Sequence, residues 1–146
     1  MNQIEAENVR ERNAIRSEIR ECENIIDDFN ERIVALNEKI AIQQEAERKY
    51  GDMCSKLEEE KEYKRKKIKQ MHNYEKNIKF LSGYSARIQE CIDGQKSIRS
   101  REYIEDMQIQ MREEIHKNMR EIEILKSQII QYNSKIEKLE YKLRRI

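Results

Sequence analysis

Residues 15–40, IRSEIRECENIIDDFNERIVALNEKI, carry apolar side chains at alternating steps of four and three: Ile15, Ile19, Cys22, Ile26, Phe29, Ile33, Leu36 and Ile40. An α-helix of 3.6 residues per turn brings such positions onto one face, so this stretch predicts an amphipathic helix with a narrow seam. Residues 122–146, IEILKSQIIQYNSKIEKLEYKLRRI, repeat the pattern with Ile122, Leu125, Ile129, Tyr132, Ile136, Leu139, Leu143 and Ile146. If the chain doubles back, the two stripes zip together as an antiparallel coiled coil. Facing residue numbers then total 165, as for Ile19 with Ile146, Ile26 with Leu139, Phe29 with Ile136, Ile33 with Tyr132 and Ile40 with Leu125. Half of that total falls between Ser82 and Gly83, which places the expected turn at Leu81, Ser82 and Gly83.

The expected fold is therefore all-α, a long antiparallel two-helix coiled-coil hairpin forming a single domain over 1–146. Its first arm runs over about 3–81, its turn is 82–83 and its second arm is about 84–146. With no proline, three glycines and 40% charged residues, the composition excludes most sheet folds, which need turn residues in quantity. Between the stripes the seam continues through Gln43, Glu47, Tyr50, Cys54 and Leu57, then resumes near the turn as Tyr74, Ile78 and Leu81 opposite Tyr84, Ile88 and Cys91 or Ile92. Before Ile15 the seam positions are polar, so a frayed first turn or two is expected. Gly51 allows a local bend, while Asp93-Gly94 allows a kink or break, with Ser97 or Ser100 capping the continuation. A parallel homodimer of one nearly continuous helix is the rival architecture, but it does not require the two ends to mirror each other.

Thirty basic against 29 acidic side chains give a net charge of +1, too small for a long-range field that steers the protein to nucleic acid or a membrane. The sequence contains no stretch apolar enough to span a bilayer and no signal-peptide pattern at Met1–Arg10, so a cytoplasmic protein without membrane insertion is expected. Cys22, Cys54 and Cys91 lack metal-type spacing and read as small apolar fillers. His72 and His116 stand apart as surface histidines, and no metal site is expected. A two-helix protein offers no enclosed cavity for convergent polar groups; no enzyme activity, cofactor or small-molecule substrate is expected. The run Lys61, Lys64, Arg65, Lys66, Lys67 and Lys69 spreads round its helix behind an acidic run, Glu58 to Glu60. It reads as a solvated surface and not as a nucleic-acid site.

Apolar side chains off the seam are the more telling feature: Ile25, Val34, Ile42, Tyr84, Ile109, Met119, Ile124 and Ile130. They suggest a second contact face through which the hairpin joins another helical protein, as in a four-helix bundle. The segment Phe80-Leu81-Ser82-Gly83-Tyr84-Ser85-Ala86-Arg87-Ile88 resembles the Trp-X-Gly turn of the WXG superfamily of small helical hairpins, with Leu81 at the Trp position and Gly83 at the Gly position. In length and layout the chain also resembles the YwqH-like proteins associated with LXG toxins of Gram-positive type VII secretion systems. What the resemblance implies is a binding partner for a helical LXG-type domain or a second small hairpin, in a hetero-oligomer that serves as targeting factor or chaperone. Tyr103, Tyr132 and Tyr141 begin no Tyr-X-X-X-Asp/Glu export signal, so such a member relies on its partner for export or stays inside the cell. The alternative from another class is a structural coiled-coil spacer that forms homodimers.

Overall fold

The computed structural model describes residues 2–74 and 79–146. Three helices account for almost all of them: α1, Gln3–His72; α2, Lys79–Asp93; and α3, Gln95–Arg145. No strand occurs among the described residues. The molecule is an all-α helical hairpin in which α1 pairs antiparallel with α2 and α3. It divides into two compact units, one of Met1–Ala41 with His116–Ile146 and one of Ile42–Ile115. The amino-terminal turn is capped and not frayed. The Glu5 amide donates to Asn2 Oδ1 at 2.8 Å and the Asn2 amide to Glu5 Oε2 at 3.4 Å, a reciprocal cap that satisfies two otherwise unpaired donors.

In the first unit the two stripes meet. Ile15, Cys22, Ile40, Ile122, Leu125 and Leu139 are buried, and Ile19, Ile26, Phe29, Ile33, Leu36, Ile129, Tyr132, Ile136, Leu143 and Ile146 are half-buried. Partial burial is what a two-helix seam provides, because each side chain is covered by one neighbouring helix only. Phe29 and Tyr132 pack edge to face with ring centroids 5.9 Å apart. The register differs from the expected one. Ile146 lies beside Arg12, whose Nη2 donates to its carbonyl at 2.5 Å, and not beside Ile19; those residue numbers total 158.

The second unit gives the same answer. Arg65 meets Asp93 at 3.1 Å and Arg101 meets Glu58 at 2.8 Å, while Arg112 pairs with Glu47. A Cβ on Gly51 would lie 3.4 Å from Gln108 Nε2. The residue numbers in these four pairs total 158 or 159, so the total of 165 is corrected downward by seven. The reason is the repeat itself. Sliding one stripe by a heptad carries every seam residue onto another seam residue, so apolar periodicity cannot separate 158 from 165. Charge can. At 165, Glu58 would face Met107, Arg65 would face Ser100 and Glu47 would face Asn118, and these three ion pairs of the second unit would be lost.

The turn moves with the register. α1 ends at His72, with Lys69 and His72 in its last turn beside the negative end of the helix dipole. The amides of Asn73 and Tyr74 then bond to the carbonyls of Gln70 and Met71 at 3.3 and 2.9 Å, the tight pattern that closes a helix end. Leu81, Ser82 and Gly83 are therefore not the turn; they lie inside α2, and no glycine has positive φ. Tyr74 is exposed and does not belong to the seam. Ile78, the other expected seam residue there, lies outside the described residues. On α2 the inward side chains are Leu81, Ser85, Ile88 and Ile92. Ile92 is only 1% exposed.

α1 passes through Gly51 unbroken, whereas Gly94 interrupts the returning arm, which bends there by 21°. A Cβ at Gly94 would stand 2.1 Å from the Glu90 carbonyl oxygen, so this backbone conformation requires glycine. The Ile98 amide bonds to the Gly94 carbonyl at 3.1 Å and starts α3 directly. Neither Ser97 nor Ser100 is the cap. Ser100 Oγ instead donates to the Lys96 carbonyl one turn back, at 2.9 Å.

Candidate partner-binding surface

Each arm spends one stripe on its partner arm and presents the rest to solvent. In the first unit Val34, Met119, Ile124 and Ile130 are exposed, at 57%, 40%, 58% and 69%, and Ile25 is half-buried beside the seam. Position relative to the seam sorts them onto two flanks. Arg32 and Glu121, joined at 2.7 Å, mark one flank, which Ile124 and Ile25 share. Val34, Met119 and Ile130 line the other, where Glu123 and Lys126 pair at 3.6 Å between Met119 and Ile130. In the second unit Ile42, Tyr84 and Ile109 are exposed.

Polar groups in the seam are paired. Gln43 is buried and its Nε2 donates to Glu114 Oε2 at 3.2 Å. Asn118 is also buried. Among the described residues no buried side-chain nitrogen or oxygen lacks a hydrogen-bond partner. On the outer surface of α1, Arg48 bridges Glu45 and Asp52 at 2.6 and 2.8 Å. Its hydrogen bond holds the Glu45 carboxyl below the usual carboxylate range. The same kind of contact raises the Arg65 and Arg101 guanidinium groups, through Asp93 and Glu105 respectively. These are charge pairs of a solvated helix surface.

His72 and His116 are exposed, and no cluster of metal-ligating side chains occurs among the described residues. The three cysteines are free and differ in setting. Cys22 is buried in the seam and Cys54 is half-buried, but Cys91 is exposed on α2, so the reading of all three as apolar fillers is corrected for Cys91. No helix among the described residues is long and apolar enough to cross a membrane. Sequence reasoning passed over the exposure of Tyr63, Tyr74 and Phe80 at the end of the second unit. For α1 the signal was present in the i, i+4 and i+11 spacing of Tyr63, Lys67 and Tyr74, but a seam drawn through Tyr74 concealed it. Neither a protein-family model, nor a curated protein, nor a solved structure matches this chain.

Proposed function

We propose that this chain is a non-enzymatic binding module that pairs side by side with another helical protein. The observation that carries the reading is the set of large aliphatic side chains left in water although they lie outside the seam, chiefly Val34 and Ile130 on one flank of the first unit, Ile124 on its other flank, and Ile42 and Ile109 in the second unit. Covering one such side chain contributes about 1.5–3 kcal/mol, so a few of them on one flank are enough to hold a partner helix. Their placement at helical spacing suits a partner that is itself helical.

The narrower form of the proposal is a targeting factor or chaperone for the helical LXG domain of a type VII effector, held in the cytoplasm or exported with its partner. Its support is architectural alone, because Leu81 and Gly83, the residues that carried the resemblance, lie inside α2 and not at a turn. The test is co-expression with helical domains encoded beside this chain, followed by sizing with light scattering. A defined hetero-oligomer is expected for the native chain. Ile124→Glu with Ile130→Glu is expected to retain full helicity and to lose the complex. Loss of helicity in that variant would return these residues to the internal seam, and homodimers or filaments with no hetero-complex would favour the spacer reading.

A further inference from the structure

We propose that the end of the second unit built from residues 61–74 of α1 and residues 80–91 of α2 docks onto anionic lipid headgroups at a membrane surface. Two helices packed antiparallel share both flanks of their seam. Arg65 marks one flank, where it reaches Asp93 on α2. At about 100° per residue from the seam positions Ile68 and Met71, the side chains of Tyr63, Lys67 and Tyr74 fall on the opposite flank of α1. Measured in the same way from Ser85, Ile88 and Ile92, Phe80, Tyr84 and Arg87 fall on that same flank of α2. The two helices thus build one face that carries four aromatic and two basic side chains.

Every aromatic on this face is open to solvent: Phe80 at 72%, Tyr63 at 62%, Tyr74 at 60% and Tyr84 at 49%. Lys67 Nζ stands 5.5 Å from the Tyr63 ring centre, so the ring and the charge present themselves together. Among the described side chains of residues 61–74 and 80–91, seven are basic and two, Glu62 and Glu90, are acidic, in a chain whose net charge is +1. Charge is therefore concentrated at this end and offset elsewhere. A cluster of this size attracts an anionic surface over a short range, while tyrosine and phenylalanine settle at the boundary between headgroups and acyl chains. Phe80 has no polar atom, and such a boundary offers its ring an apolar destination. Single-stranded nucleic acid also combines phosphate with stacking surfaces, but proteins that hold it line a groove with their aromatics. Here the four aromatics stand exposed along one outer flank of two paired helices, which suits a broad surface.

The test is sedimentation of the full chain with vesicles of phosphatidylcholine alone and with roughly a third phosphatidylserine, at physiological salt. Binding to the anionic vesicles only is expected, weakening as salt rises. Lys67→Glu with Arg87→Glu lowers the partition roughly tenfold or more at unchanged helicity. Lys67→Gln with Arg87→Gln lowers it by a smaller factor, and Phe80→Ser with Tyr84→Ser lowers it severalfold without removing the salt dependence. Equal binding to both vesicle types, no binding to either, variants that bind like the native chain, or displacement from vesicles by a single-stranded oligonucleotide would each overturn the proposal.

Discussion

Gly83 and Gly94 look alike in the sequence and do opposite things. Gly83 sits in α2 with negative φ and nothing within 4 Å of the position a Cβ would take. Gly83→Ala is therefore expected to stabilise the protein by about 0.5–1 kcal/mol, the helix-propensity difference between the two residues, read as a higher denaturant midpoint. A left-handed glycine at a turn would give the opposite sign. Gly94 cannot accept a Cβ without displacing the Glu90 carbonyl, so Gly94→Ala is expected to destabilise by on the order of 1–3 kcal/mol and to alter the bend. Circular dichroism with denaturant titration reads both. The kink at Gly94 was legible because Asp93 and Gly94 together form a helix-breaking pair. The helical state of Gly83 was not, since a glycine is a breaker or a tolerated helix residue according to tertiary context. Asn73, a residue that favours helix ends, was the available sign of the true terminus.

Along the helices, the apolar stripes declare pairing and leave its register open. The seam from Ile15 to Ile40 and from Ile122 to Leu143 was readable at sight, and none of its members is exposed. Its seven-residue repeat is satisfied equally by registers one heptad apart, and the charged pairs break the tie. A double-mutant cycle on Glu47 and Arg112, where Glu47 is partly covered at 25% side-chain exposure, is expected to give a coupling of about 0.5–1 kcal/mol that diminishes as salt is raised. A coupling of zero would remove this pair from the account of register. Packing contributes the larger amounts. Ile92→Ala, at the most deeply buried large side chain, is expected to cost about 2–5 kcal/mol in chemical unfolding. Leu125→Ala in the first unit falls in the same range. At the solvated amino-terminal cap, Asn2→Ala is expected to cost about 1 kcal/mol of local helix stability, visible as faster amide exchange in the first turn.

For the molecule as a hairpin, what the sequence disclosed about function follows what it disclosed about faces. Ile124 and Ile130 could be recognised as candidate contacts because they break the four-three spacing, and they are exposed. The aromatic and basic face could not be assembled from one arm. Tyr63 and Tyr74 belong to α1, Phe80 and Tyr84 to α2, and only the correct reversal brings them to one flank. Register is thus the claim on which the aromatic and basic face, and with it the lipid proposal, depends. The most direct test is intramolecular disulfide formation in a background in which Cys22, Cys54 and Cys91 are replaced by alanine. A disulfide requires Cα atoms within about 7 Å, and a heptad slip displaces the arms by about 10 Å, so the two alignments exclude each other. Ile26→Cys with Tyr132→Cys, the pair totalling 158, is expected to form a monomeric cross-linked species, whereas Ile26→Cys with Leu139→Cys, totalling 165, remains reduced or links separate chains. Efficient monomeric cross-linking of the second pair and not the first would contradict the account.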